Sequence, residues 1–403
     1  MRILFISSDY MRPNKGSNLY TDLAEELNRQ NHVVKVVVSE ERKHIEKTCL
    51  FEENGIPVLR VKTGNLYEVS FVEKTLTFLT VSYDLIRGIK KHFANEKFDL
   101  ILFQSPPVTF HRVVKWAMSK YKARSYLMMK DIFPQNGVDI GLYSKHSLVY
   151  YFFRSHEKKL YKTSTKIGCM SPGNIEYLKK HNPYLKDEKF ELFPNTVKVT
   201  NQKVLSLKEK SQIREKYGLK DDDVIAIFGG NFGRPQGLDF LLKVIDIYKN
   251  SSNVKFILIG RGTEKNRIFE AIRDRKYDHV LTFDYIPRRD YEKLTRTCDI
   301  GLIFLDRRFT IPNFPSKTLS YFECSLPIVA AIDKNTDYGQ ILEEVKCGYY
   351  VENGNLKAFK NKFDKLVKNQ KLREEMGRNG RRYFEKECNV LKSVKILEEF
   401  ERS

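Results

Sequence analysis

Short, unbroken apolar runs alternate with stretches of helical period along nearly the whole chain, and this alternation limits the fold more than any other feature. Ile3 to Ile6 is apolar, Ser7 to Ser17 is a polar turn with Pro13 and Gly16, and Leu19, Leu23, Ala24 and Leu27 recur at helical spacing before the run Val33 to Val38. That is a βαβ unit, and strands apolar on both faces belong to parallel sheets covered by helices. Runs at 100–103, 126–129, 167–170 and 190–193 continue the series. After Pro194-Asn195 the polar stretch Thr200 to Lys210 has little to bury and reads as a linker. A second series follows at 224–228, 254–259, 280–283, 300–305 and 327–332, and Asn355 to Ser403 is helical and charged throughout. With 403 residues the chain has room for more than one core. The expected architecture is α/β: two doubly wound halves, 1–200 and 201–383, facing a central cleft, with a C-terminal helix at 384–403 free to pack back on the first half. Open α/β sheets bind ligands beyond the carboxyl ends of their strands.

Composition removes several classes. The hydrophobic share is 41% and the charged share 30%, which excludes a disordered chain. No apolar run approaches the length that spans a bilayer, and the four-residue apolar start is too short for a secretion signal. Six cysteines (Cys49, Cys169, Cys298, Cys324, Cys347, Cys388) form no Cys-x-x-Cys pair and read as reduced thiols, with no metal site expected. The expected setting is cytoplasmic. The net charge is +20, and between His111 and Lys166 twelve lysines and arginines face three carboxylates among many tyrosines and phenylalanines. Such a surplus favours a polyanion, and aromatic rings among lysines suit the headgroup region of an anionic membrane. Phe71 to Phe93 carries Val72, Leu76, Leu79, Tyr83, Ile86 and Phe93 near one face, with Arg87, Lys90 and Lys91 at its end. Core packing is the first reading of that stripe and an interfacial membrane helix the second. His111 and His156 have no partner at metal-ligand spacing.

The second half holds three turns suited to an anion. Gly229-Gly230-Asn231-Phe232-Gly233-Arg234-Pro235-Gln236-Gly237 follows a strand and precedes a helix; Gly260-Arg261-Gly262 repeats the arrangement one unit later; Pro315-Ser316-Lys317 opens another helix, with Ser316 as its expected cap. Glycines at strand ends let backbone N–H groups approach a phosphate. The segment lacks the Lys-Ser/Thr of a P-loop and the spacing of a dinucleotide fingerprint.

These residues together resemble the retaining glycosyltransferases of family four, which have two Rossmann-like domains in the GT-B fold, and within them the bacterial capsule and O-antigen subgroup that includes N-acetylfucosamine transferases. The carriers are Gly230 to Asp239, Gly260-Arg261-Gly262, Ile286-Pro287 with Leu294 and Cys298 to Gly301, Pro315-Ser316-Lys317 with Tyr321 and Pro327, and Lys130-Asp131-Ile132-Phe133-Pro134 in the first half. The resemblance implies a hexosyltransferase that takes a UDP-sugar, an N-acetylated or 6-deoxy hexosamine, needs no metal or other cofactor, and works on a polyprenyl-diphosphate-linked saccharide at the inner face of the membrane. It implies donor contacts from Gly230, Asn231, Arg234, Gln236, Arg261, Ile286, Pro315, Ser316, Lys317, Ser320 and Glu323. Acceptor contacts are implied for Gly16, Ser17 and Asn18, and catalytic roles for Asp131 and Lys130.

The sequence departs from the wider family. Asn231 and Gln236 stand where basic residues are common, Lys130 stands where His is common, and the family's Glu-x7-Glu pair falls on Pro312 and Ser320. A nucleotide-sugar 2-epimerase of the same fold and a non-catalytic partner of another transferase stay open. A nucleic-acid binder, permitted by charge alone, has no zinc spacing or RNA-recognition signature.

Overall fold

A computed structural model describes residues 1–66, 69–200 and 205–403, except for the side chains of Phe71 and Val72. The chain divides into two compact units, one formed by Met1–Lys198 with Asn389–Ser403 and the other by Val199–Cys388.

In the first unit the strands are β1 (Arg2–Ser7), β2 (Val33–Glu41), β3 (Cys49–Glu53), β4 (Ile56–Thr63), β5 (Leu100–Ser105), β6 (Arg124–Met129), β7 (Lys166–Cys169) and β8 (Phe190–Leu192). Its helices are α1 (Leu19–Arg29), α2 (Phe71–His92), α3 (His111–Tyr121), α4 (Gln135–Asp139), α5 (Leu148–Thr163) and α6 (Pro172–His181). They build one eight-stranded sheet in the order β3-β4-β2-β1-β5-β6-β7-β8, parallel except for the hairpin β3–β4. Strands β1, β5 and β6 are buried almost end to end, as the apolar runs require.

The second unit runs α7 (Leu207–Lys216), β9 (Val224–Asn231), α8 (Leu238–Asp246), β10 (Val254–Arg261), α9 (Lys265–Asp274), β11 (Val280–Phe283), α10 (Arg288–Thr295), β12 (Ile300–Phe304), α11 (Lys317–Glu323), β13 (Ile328–Ile332), α12 (Tyr338–Glu344), β14 (Gly348–Glu352), α13 (Leu356–Lys368) and α14 (Gln370–Glu387). Its six strands are all parallel, in the order β11-β10-β9-β12-β13-β14. The last helix, α15 (Val390–Arg402), belongs to the first unit. Its Val390, Val394, Leu397 and Phe400 join the core beside Leu23, Leu27 and Tyr126. Arg124 ties its end down through the carbonyls of Phe400 and Glu401 at 2.6 and 2.7 Å.

Two expectations change. The stretch read as linker is helical from Leu207, because Ser206 and Glu209 form a reciprocal capping box; residues 201–204 lie outside those described. On α2 the buried residues are Thr77, Val81, Ser82, Leu85, Gly88 and Ile89, so the helix turns a different face to the core than the apolar stripe suggested. A side chain at Gly88 would come within 2.8 Å of Val61 on β4, so this close approach sets the rotation. Leu76 and Tyr83 are left exposed, each at 57%; the side chain of Val72 lies outside the description. His111 and His156 take core positions: their Nε2 and Nδ1 atoms are 2.8 Å apart inside the unit, and burial holds both down at about 4.

Candidate active site

The carboxyl edge of the second sheet is assembled from the glycine turns. At Gly260 a Cβ would collide with the Gly230 carbonyl, so only glycine lets β10 lie this close to β9. The turns are then sewn together: Phe232 N–H donates to the Arg261 carbonyl and Glu264 N–H to the Phe232 carbonyl, both at 2.8 Å. Gly237 adopts φ +56°, and a Cβ there would press on Asp306 and on the Leu305 carbonyl. That conformation starts α8 and leaves Gly230, Asn231 and Arg234 exposed at the sheet edge.

Lys317 lies beside this edge. Its Nζ donates to Gln236 Oε1 at 3.0 Å and sits 3.8 Å from the centre of the Phe228 ring. The nearest heavy atom to a Cβ built on Gly230 would be Lys317 Cε, at 3.9 Å, which puts the lysine against open backbone. Burial lowers its pKa to about 7, because no carboxylate compensates the lost hydration. Tyr321, one turn into α11, clamps the strand end by accepting from Gly229 N–H and donating to the Ile227 carbonyl, both at 3.1 Å. Arg261 stacks its guanidinium over Tyr285 at 5.2 Å, Ile286 is nearly buried, and Pro315 is half-buried.

Other expected donor residues are placed differently. Ser316 has helical backbone angles (φ −62°, ψ −27°) and its side chain caps nothing, because a capping hydroxyl needs the extended conformation that this residue lacks. Ser320 hydrogen-bonds the Tyr291 hydroxyl. Glu323 accepts from Thr200 Oγ1 at 2.6 Å and lines a separate cavity of 770 Å³ with Lys210, Arg296 and Arg381. Arg234 is 55% exposed and only loosely paired with Glu264, at 3.9 Å.

In the first unit, Lys130 and Asp131 follow β6 and diverge, as neighbours in extended chain do. Lys130 donates to Asn195 Oδ1 at 2.8 Å and lies 5.3 Å from the Phe193 ring; burial lowers it to about 7. Asp131 accepts from Asn136 Nδ2 on α4 and from the Ile132 N–H, yet burial outweighs both bonds and raises it to about 6. Asn136 Oδ1 is buried without a partner among the described residues. Asn18 caps α1, accepting from the Tyr20 and Thr21 N–H groups while its Nδ2 donates to the Asp9 carbonyl, so its whole carboxamide is committed to the fold. Gly16 and Ser17 precede it, half-buried. Phe228, Tyr291, Asn136 and Asn195 were not singled out from sequence. Only Asn195 carried a signal, as the first polar residue after a strand run and Pro194.

Residues 209–383 match the family profile of glycosyl transferases group 1. A probable glycosyltransferase, WbjE of Pseudomonas aeruginosa, is 22% identical over 250 residues, which are 62% of this chain and 59% of that protein. The chain thus aligns with under two thirds of that relative's length. A solved structure of WaaG, a glycosyltransferase involved in lipopolysaccharide biosynthesis, has a TM-score of 0.66 at 15% identity over 98% of both chains. The structure of Anabaena Alr3699/HepE in complex with UDP-glucose has a TM-score of 0.71 at 16% identity over the full length of both. The fold is accordingly GT-B, two Rossmann-like α/β domains, and the match to the glycosyl transferases group 1 profile lies in the second of them.

Proposed function

We propose that the chain transfers a sugar, with retention, from a UDP-sugar to a lipid-diphosphate-linked acceptor in the assembly of a surface polysaccharide. The donor is an N-acetylated or 6-deoxy hexosamine, by resemblance to the capsule and O-antigen subgroup. One observation carries the reading: the exposed backbone at Gly230, at the edge of a parallel sheet, with the uncompensated Lys317 beside it. The relatives named above and the UDP-glucose bound by HepE support it.

The difficult step is departure of the nucleoside diphosphate from the anomeric carbon. Negative charge grows on the leaving oxygens, and fixed donors pointed at them lower the barrier most. Lys317, Arg234 and the backbone amides of Gly230 and Ser316 take that role. The bond from the anomeric carbon to the diphosphate oxygen breaks while the acceptor oxygen bonds to the same face. The acceptor proton passes to the departing phosphate, so no protein nucleophile is consumed. Asp131 orients the acceptor hydroxyl, and the unpartnered Asn136 Oδ1 beside it offers a second acceptor for a substrate hydroxyl. On this reading the chain works at the inner face of the cell membrane, where a lipid-linked acceptor would reside.

The test is incubation of the purified protein with a panel of labelled UDP-sugars and bacterial membranes, followed by NMR of the product's anomeric centre. Transfer with the donor's configuration kept is expected; no transfer with any donor removes the reading.

A further inference from the structure

We infer that the second unit carries a second anion site, a cavity at the amino edge of its sheet in which Lys210 and Arg373 hold a phosphate group and Asp299 accepts a hydroxyl that accompanies it. Free hydrogen phosphate and a sugar phosphate both carry that pair of groups. The site goes beyond the sugar transfer proposed above and does not depend on it.

The cavity measures 770 Å³ and is lined from α7, the entry to β12, the turn before β13, and α14. Asp299 immediately precedes β12, and Leu326 and Pro327 immediately precede β13. The cavity therefore lies at the opposite end of the strands from Gly230 and Lys317 and is no extension of the donor edge. Helix α14 is held against this end at Gly377, where a Cβ would strike the Ser325 carbonyl. A volume of this size admits a ligand as large as a hexose phosphate.

Three cations share one carboxylate here. Arg214 Nη2 lies 2.8 Å from Asp299 Oδ2, which also accepts from the Ile225 N–H at 2.9 Å. Lys210 Nζ and Arg373 Nε each stop 3.9 Å from the other oxygen, Oδ1, beyond hydrogen-bond reach. Arg373 gives its Nη1 to the carbonyls of Leu366 and Val367. Lys210 Nζ makes no hydrogen bond among the described residues, although its side chain is only 35% exposed. Burial lowers its pKa, and Asp299 opposes the shift while Arg214 and Arg373 add to it. The other lining carboxylates are held elsewhere: Glu323 by Thr200, Glu374 by Gln370 and Glu385 by Arg381. An anion seated between Lys210 and Arg373 supplies the charge that Asp299 alone does not. Asp299 Oδ1 then selects what comes with that anion. A carboxylate oxygen only accepts, so it repels sulfate and takes a proton from hydrogen phosphate or from a sugar hydroxyl.

Isothermal titration calorimetry of the Lys317→Ala protein, at neutral pH and constant ionic strength, tests this with the donor edge disabled. Hydrogen phosphate and glucose 6-phosphate are the probes, and sulfate is the comparison. At least one probe should bind about tenfold tighter than sulfate, and adding Lys210→Gln should weaken it about tenfold. Lys210→Arg should keep the binding, as should Lys208→Gln, which changes an exposed lysine on the same helix. Unchanged melting temperatures establish that the variants fold. No binding of either probe, sulfate binding as tightly as both, or equal affinity in the Lys210→Gln protein overturns the inference. The tighter of the two probes identifies the source of the phosphate group. No sugar donor enters the measurement, so failure of the transfer reaction leaves this site standing.

Discussion

Each unit ends a strand edge with a lysine held in the same way. Lys130 rests on the Phe193 ring and donates to the Asn195 amide oxygen; Lys317 rests on the Phe228 ring and donates to that of Gln236. Burial brings both to about 7. What differs is the next neighbour. Lys317 faces the bare backbone of Gly230, ready for an anion, whereas Lys130 is followed by Asp131, whose carboxyl burial raises to about 6. One clamp thus sits in two chemistries: a cation that an incoming diphosphate would recharge, and a cation that fixes the chain beside a carboxylate. The neighbour, more than the lysine, sets the role.

The comparison breaks first at Lys317. Replacing it with Ala should lower kcat/KM about 10²- to 10³-fold and abolish measurable UDP binding by calorimetry, since a preorganised charge at the leaving group is lost. Lys130→Ala should leave UDP affinity unchanged; equal losses from both would end the distinction. Asp131→Asn should lower kcat about 10²-fold with little change in donor KM. In the parent protein the rate of the proposed transfer should climb as pH rises through about 6, where Asp131 loses its proton, and the variant should lack that limb.

A subtler effect is protonic. Free Lys317 is charged below about 7 and neutral above it, and a bound diphosphate raises its pKa, so binding takes up a proton above that point. UDP affinity should fall as pH rises beyond 7, by up to about tenfold per pH unit, and titrations in buffers of different ionisation heat should show the uptake. Asn195→Leu should leave this slope intact. The smallest change is expected for Gln236→Leu, which removes one hydrogen bond from Lys317 and should weaken UDP about fivefold.

Both sheets were legible because parallel strands buried on two faces are written as apolar runs, and the runs at 3–6, 100–103, 224–228 and 254–259 all became central strands. The hairpin β3–β4 was missed. Its strands are interrupted by Glu52, Pro57 and Arg60, although Asn54-Gly55, with both residues at positive φ, is a two-residue turn signal that the sequence did carry. Arg60 is only 1% exposed, paired with Glu40 and Glu53, and a buried charge erases the apolar pattern that marks a strand. At the site, glycines and Lys317 could be placed from spacing, because a turn is local. Gln236 reaching Lys317, 81 residues away, or Lys130 finding Asn195, 65 away, depends on which strands lie side by side.

The return of α15 to the first unit has a consequence for the order of folding. Everything between residues 199 and 388 is a contiguous globule inserted into another, which can close on itself while the ribosome still holds the last helix. The first globule has no such freedom: the flank of Leu23, Leu27 and Tyr126 stays uncovered until that helix is released. The part synthesised first is therefore the part completed last.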